Sequence, residues 1–340
     1  MRAIHNPAAD RHAPRFFLVR GQIADSAESP ARATALSAAL VAGGHTLSLA
    51  DSHGAAPRAA VHTTEYLAFL ASAHDRWSEL AGSGHEVISN VHPNRHTAAY
   101  PQSIVGQAGW HMADTACPIG SGTFEAACFA ADVAVTAAQA LMDGERVVYG
   151  LCRPPGHHAF TDMAGGFCYL NNTSIAAQYL RGGYPRVAII DVDVHHGNGT
   201  QSIFYRRADV LTISIHTDPS HYYPFYWGYG NEHGAGAGEG FNVNYPLPQG
   251  ANDSQWMGAL GKALNVVAAY GPDAMVVALG LDAHEHDPLH GAHVTTTGFW
   301  RMGAAFAELE LPTLIIQEGG YLSSELGANL LAFLGGFEEA

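Results

Sequence analysis

The sequence predicts one large α/β domain, a central parallel sheet flanked by helices, and three observations predict it. Five apolar, β-rich runs recur, at 147–151, 187–190, 210–215, 274–279 and 313–316. Their hydrophobicity is near-continuous rather than alternating, as in strands covered on both faces, and stretches of helical periodicity separate most of them. A polar cluster follows directly on each run, and ligands of open α/β sheets gather at the carboxyl ends of strands.

Taken in order, the helix expected over 30–42 opens on Pro30, which suits a first helical turn, where the missing N–H has no partner to lose. A long apolar helix over 123–143 leads into the strand 147–151 and then Arg153-Pro-Pro-Gly-His157-His158. A helix over 171–180 precedes the run 187–190, which passes straight into Asp191-Val-Asp193-Val-His195-His-Gly197. The run 210–215 ends on His216. A helix over 253–270 precedes the strand 274–279 and Asp282, and a helix over 297–310 precedes 313–316 and Glu318-Gly-Gly-Tyr321.

At 340 residues, with no linker, internal repeat or low-complexity block, the chain reads as a single domain over 1–340 with a long insertion at 74–107. Residues 1–10 lack a basic stretch followed by an apolar one, and no apolar run reaches the ~18 residues of a membrane span, so the expected location is cytoplasmic. The four cysteines, Cys117, Cys128, Cys152 and Cys168, form no CxxC pair and fit buried small hydrophobes in a reducing compartment. A net charge of −15 with 16 basic residues argues against nucleic acid as a partner and leans towards a cationic small molecule.

On an extended chain alternate side chains share a face, so Asp191, Asp193 and His195 are expected to point one way and Val192 and Val194 the other. Burying such a group of ionisable side chains costs several kcal/mol unless a metal or hydrogen bonds satisfy it. Asp193 and His195 supply oxygen and nitrogen ligands, and Asp282 is the natural third. Three protein ligands with an open position describe a catalytic zinc site. His157 and His158, after a Pro-Pro-Gly turn, suit a general acid/base pair beside it. Tyr321, presented by Gly319-Gly320, suits an oxyanion donor. The glycine-rich 234–240 stretch lacks the Lys-Ser/Thr ending of a phosphate loop and reads as a turn-rich loop.

Together these segments closely resemble the histone deacetylase superfamily, from Glu28-Ser-Pro-Ala-Arg32 through Gly165-Gly-Phe-Cys-Tyr-Leu-Asn-Asn172 and Asp191 to Gly199, and on to Gly319-Gly-Tyr321. Within it, the wording of 153–158, Asn198 and the segment 74–114 look most like the bacterial acetylpolyamine amidohydrolases. The resemblance implies an arginase/deacetylase-like fold and zinc-dependent hydrolysis of an acyl-amide on a polyamine or lysine-like amine. It implies Asp193, His195 and Asp282 as zinc ligands, His158 as general base then acid, and His157 paired with Asp191 as electrostatic partner. Tyr321 would polarise the carbonyl. Gly197 stands where binuclear manganese relatives carry a further aspartate, so one metal is expected. Phe167, beside Gly166, and Tyr223 match the aromatics flanking the substrate tunnel, and Asp114 matches a rim acid. Asp191, Ser214 and the carbonyls of Asp193, His195 and Ile215 would hold potassium, with a second monovalent site near Phe204, Arg207, Val210 and Phe241. The 74–107 insertion resembles a dimer-forming element, which implies a homodimer whose insertion narrows the partner's tunnel. The sequence leaves open whether His284, Glu285 and His286 face that tunnel.

Two other readings stand beside deacetylation of a small acetylated amine: an amidase for another acyl-amide or for acetyl-lysine in protein, and a catalytically silent acyl-amine binding module. Intact His157, His158, Tyr321 and all three ligands disfavour the last.

Overall fold

The computed structural model describes residues 1–339, which form the α/β architecture expected. The strands are β1 Arg2–His5, β2 Phe16–Val19, β3 Gln22–Asp25, β4 Thr46–Leu49, β5 Val147–Gly150, β6 Val187–Asp191, β7 Val210–Thr217, β8 Asn242–Leu247, β9 Ala251–Asn252, β10 Ala274–Leu279, β11 Ala292–His293 and β12 Thr313–Gln317. The helices are α1 Pro30–Ala42, α2 Ala56–Ala59, α3 Thr64–Ser78, α4 Ile104–His111, α5 Thr123–Met142, α6 Asn172–Leu180, α7 Asn198–Phe204, α8 Asp253–Tyr270, α9 Thr296–Ala307 and α10 Leu326–Glu339. Eight strands make one sheet in the order β4-β1-β5-β12-β10-β6-β7-β8, with every neighbouring pair parallel. β2 and β3 form a separate antiparallel hairpin.

The five strands expected from the sequence are five adjacent positions in this sheet, β5-β12-β10-β6-β7. Every residue of β6, β7, β10 and β12 is buried, which is why their apolar runs are unbroken. The strands not expected, β1, β4 and β8, lie towards the edges, where β4 is half-exposed and β8 begins by alternating buried with partly exposed residues. One face of the sheet buries Ile190, Ile213 and Val277 against α1, α8, α9 and α10 through Leu36, Trp256, Phe299 and Phe333. The other buries Val148, Ile189 and Val276 against α5 and α6 through Val133, Leu141 and Leu180. α3 and α4 cover α5 from outside through Tyr66, Phe69 and Ile104.

α8 has a capping box of Asn252 with Gln255 and ends on Gly271 in the left-handed conformation. α10 went unforeseen because it carries Gly335 and Gly336. The latter is a packing requirement: a Cβ at Gly336 would lie 2.0 Å from the Trp300 carbonyl, and one at Gly303 2.0 Å from that of Phe333. α9 and α10 therefore touch backbone to backbone. α5, 20 residues long and apolar enough to cross a membrane, is 72% buried within the protein and behaves as a core helix. The 74–107 insertion has different bounds as a structural unit, since α3 continues to Ser78 and α4 starts at Ile104, leaving 79–103 as loop.

Candidate active site

Because the sheet is parallel, the central strands deliver their following segments to one edge. β6 ends at Asp191, and beyond it the chain turns rather than continuing extended as the alternation argument assumed. Asp191 Oδ1 accepts the Asp193 N–H at 3.0 Å and Asp193 Oδ1 accepts the His195 N–H at 2.9 Å. Each aspartate thus bonds the backbone two residues on, the local competition that ends regular structure at such residues. Asp193 and His195 converge, while Asp191 turns to His157.

Asp193, His195 and Asp282 are buried, with one ligand atom of each within 4.8 Å of the others. His195 Nδ1 lies 3.0 Å from Asp193 Oδ1 and 3.1 Å from Asp282 Oδ2. Gly319 makes the closeness possible, since a Cβ there would sit 2.2 Å from Asp282 Oδ2 and 2.4 Å from Asp193 Oδ2. Burial, then the neighbouring Asp193 carboxylate, pushes Asp282 up to about 6. Burial alone would push His195 down, but bonds to Asp193 and Asp282 hold it up at about 9. Two buried carboxylates facing one imidazole call for positive charge, and a divalent cation with an open coordination position fits this donor set. Gly197 leaves its position without a side chain, and a Cβ there would lie 2.2 Å from Asp191 Oδ2.

His157 and His158 follow β5 with ring centroids 4.0 Å apart. His157 Nδ1 donates to Asp191 Oδ2 at 2.9 Å, and the charges of Asp193 and Asp191 outweigh burial to raise it to about 10. His158 Nδ1 instead faces Asn198 Oδ1 at 2.7 Å, and burial, then the nearby His157 and His195, pushes it well below the usual imidazole value. Asn198 was recognised in the sequence only as a family mark; its position after His-His-Gly gave no sign of this partnership. Glu318 was missed as a support. It is fully buried and accepts from Gly156 N at 2.6 Å, His157 N at 3.0 Å and Thr173 Oγ1 at 2.6 Å, holding the histidine turn to the end of β12.

Tyr321 is buried, its backbone N–H donates to Asp287 Oδ2 at 2.9 Å, and burial raises its hydroxyl well above the ordinary value, so it stays protonated. Beneath it runs an ionic support that the sequence registered only as a motif. Arg32 lies 4.8 Å from the Tyr321 ring centroid, donates to the Gly320 carbonyl at 2.5 Å and the Glu318 carbonyl at 2.7 Å, and pairs with Glu28 at 3.0 Å. Arg153 meets the same carboxylate at 2.9 Å.

Phe167, Tyr223 and Asp114 do gather around the site. The Phe167 ring centroid is 5.7 Å from Tyr321, and that of Tyr223 is 5.0 Å from His158. Asp114 takes the Tyr223 hydroxyl at 2.7 Å and the Gly166 N–H at 3.1 Å, bracing the two walls against each other. Gly166 is required there: at φ +50°, a Cβ would press to 2.5 Å of His158 Cδ2. The β2–β3 hairpin adds an unforeseen wall residue, Phe17, 5.4 Å from Phe167 by ring centroid. Asp191 and Ser214, two of the donors that the resemblance implies for potassium, are register partners across β6 and β7. Arg207, named with the second monovalent site that the resemblance implies, bonds Asp209 at 2.7 Å and 2.9 Å and Gln178 at 2.6 Å, with Phe204 beneath its guanidinium. His216 turns away from the metal cluster to the Gly228 carbonyl, 2.8 Å distant. In the 284–286 loop His284 is buried, while Glu285 and His286 are exposed.

Known proteins share this arrangement along nearly the whole chain. Residues 26–336 match the histone deacetylase domain. An acetylpolyamine amidohydrolase of Burkholderia pseudomallei (strain 1710b) is 45% identical over 333 residues, 98% of this chain and 97% of that protein. Acetylpolyamine amidohydrolase 1 of Pseudomonas aeruginosa is 43% identical over 335 residues, 97% of this chain and 96% of its own. The crystal structure of the acetylpolyamine aminohydrolase from Burkholderia pseudomallei superposes with TM-score 0.96 at 45% identity, covering 99% of this chain and 98% of that one. The HDA15 HD domain superposes with TM-score 0.79 at 28% identity, covering 98% of this chain and 90% of that one. This likeness in sequence and in fold leads to one conclusion: the chain belongs to the histone deacetylase family, whose members are metal-dependent deacetylases.

Proposed function

We propose that this protein is a zinc amidohydrolase that removes the acetyl group from acetylated polyamines or similarly slender amines. One observation carries the reading: beside the Asp193–His195–Asp282 cluster lie His158, with Tyr223 against it, and Tyr321, with Phe167 against it, in a chain whose relatives of matching length are named for acetylpolyamine hydrolysis.

Asp193, His195 and Asp282 would hold the ion, which when bound supplies Lewis acidity to the amide carbonyl and the attacking water. His158 keeps its Nδ1 proton on Asn198, which leaves Nε2 free to take a proton from water and pass it to the departing amine. His157, charged and fixed by Asp191, stabilises negative charge developing nearby. The Tyr321 hydroxyl donates to the carbonyl oxygen as it becomes an oxyanion. Phe167 and Tyr223 offer aromatic faces to a cationic amine, and the charge of −15 favours such a substrate.

Two carboxylates and one imidazole do not select strongly between zinc and iron(II) or cobalt. A structural potassium ion is proposed on Asp191 and Ser214 with the carbonyls of Asp193, His195 and Ile215. Four cysteines without a disulfide among the described residues support a cytoplasmic setting. No nucleic-acid or membrane partner is proposed.

The test is a substrate panel on the metal-loaded protein and after chelation. Acetylspermidine and acetylputrescine should be cleaved in preference to an acetyl-lysine peptide, and chelation should abolish turnover until zinc is restored. Equal cleavage of the peptide sinks the substrate assignment; turnover indifferent to chelation sinks the metal.

A further inference from the structure

A second group of metal-ligating side chains stands outside the active site. His284 and His286 lie on the loop that leaves Asp282, and Glu325 lies at the start of α10, four residues beyond Tyr321. One ligand atom from each falls within 4.8 Å of the others. His286 Nδ1 is 3.6 Å from Glu325 Oε2, about the separation of two donors on one tetrahedral ion with bonds near 2.1 Å. Glu325 Oε2 is itself shut off from solvent and accepts no hydrogen bond, an expensive state for a carboxylate oxygen. The other oxygen takes the Ser324 hydroxyl at 2.7 Å, which fixes the carboxylate's orientation.

The loop is already shaped to present the two imidazoles. Glu285 N–H donates to the Val294 carbonyl and Asp287 N–H to that of His284, both at 3.0 Å, so the turn does not need to be ordered by an ion. The rings stand 5.3 Å apart, edge to face. The one competing bond is long, 3.3 Å from the His286 amide to His284 Nδ1, and coordination gives it up at small loss. His284 is buried while His286 is exposed, so the cluster has a fixed floor and an open side for exchange of ion and water.

We propose that His284, His286 and Glu325 form a second, weaker site for a zinc-class divalent ion, distinct from Asp193, His195 and Asp282. Two imidazoles and one carboxylate are a borderline donor set that selects zinc, cobalt or nickel over magnesium or calcium. The ion ties the loop carrying Asp282 to the segment carrying Tyr321, two strand ends that meet nowhere else through a side-chain ligand pair of this kind among the described residues.

Zinc titration of the zinc-loaded enzyme by equilibrium dialysis and elemental analysis tests this, with His286→Ala and Glu325→Gln as variants. The wild type is expected to take up a second ion at free zinc well above that needed to fill the first. Each variant should lose about tenfold or more in affinity for that second ion, while retaining the first ion and deacetylation, which also shows that it is folded. Thermal unfolding should rise with added zinc in the wild type and not in the variants. A wild type that saturates with a single ion, or a second ion held equally well by both variants, overturns the proposal. Asp193→Ala, which should lose the first ion, should retain this second uptake, so the two sites fail separately.

Discussion

His157 and His158 are neighbours on one turn, yet they take opposite protonation: the charges of Asp193 and Asp191 outweigh burial at His157, while burial and the nearby His157 and His195 keep His158 neutral, with only the Asn198 amide at its Nδ1. Asn198→Asp should therefore raise the His158 pKa. The base would then be protonated over more of the acid range, and the acid limb of kcat/KM should move to higher pH; an unmoved limb would show that His158 is not the titrating base. Asp193→Ala removes a charged ligand and should lose metal as well as turnover, which elemental analysis reads directly. Tyr321→Phe should keep its metal and lose about 10²-fold or more in kcat, as for other lost oxyanion donors. At this scale the sequence was most legible where chemistry is carried by unusual residue types at strand ends: Asp193, His195 and Asp282 lie together, with His157 and His158 beside them. Asn198, Glu318, Phe17 and Asp287 were not legible as supports, because their roles depend on which distant backbone or side chain comes to meet them.

Elements deliver these residues, and one buried ionic group holds the elements. Glu28 precedes α1, Arg32 lies on it, and Arg153 follows β5; all three are buried, and Arg32 reaches the carbonyls of Glu318 and Gly320 after β12. Burial raises the Glu28 pKa, but Arg153, His12 and Arg32 more than reverse it, to about 2 against an ordinary 4.5. A depressed carboxylate stabilises the fold above its unfolded pKa, so this contribution is present in full above pH ~4.5 and fades as pH falls through about 2. It amounts to about 3 kcal/mol at 1.4 kcal/mol per unit. Glu28→Gln leaves two buried guanidinium groups short of a counter-charge and should cost about 3–5 kcal/mol. Denaturant midpoints at pH 7 should fall, with the difference from wild type shrinking towards pH 2; a constant difference across that range would mean that the carboxylate's charge is not what stabilises. The central strands were legible because burial on both faces writes unbroken apolar runs. The edge strands β4 and β8 and the glycine-bearing α10 were not, since their pairing is decided by neighbours already in place.

In the whole molecule the loop 79–103 differs between its base and its tip. Its base is fastened to its own subunit, where Val87 pairs with Ile119 and Tyr100 reaches His111 Nε2 at 2.9 Å, and from the exposed stretch beyond it the Arg95 side chain reaches back, to Asp162 at 2.9 Å. Gly109 admits the loop, since a Cβ there would lie 1.8 Å from the Val91 carbonyl. The stretch 94–99 is exposed throughout, as is Val91. A segment held rigidly at its base and left uncovered at its tip is suited to meet a second copy, and long ordered loops of this length are seldom idle. We propose that this tip forms a homodimer contact and narrows the partner's substrate entrance. The protein should then sediment as a dimer. Replacing 90–99 by a short Gly-Ser linker should give a monomer that keeps its metal, because the Val87 pairing, the Tyr100 bond and the strand-end ligands are untouched. Cleavage of an acetyl-lysine peptide relative to acetylspermidine should rise in that monomer, since a wider entrance admits a bulkier chain. A wild-type protein that is monomeric at micromolar concentration and already prefers acetylspermidine would place the selectivity within a single subunit, in the brace that Asp114 makes between Tyr223 and Gly166.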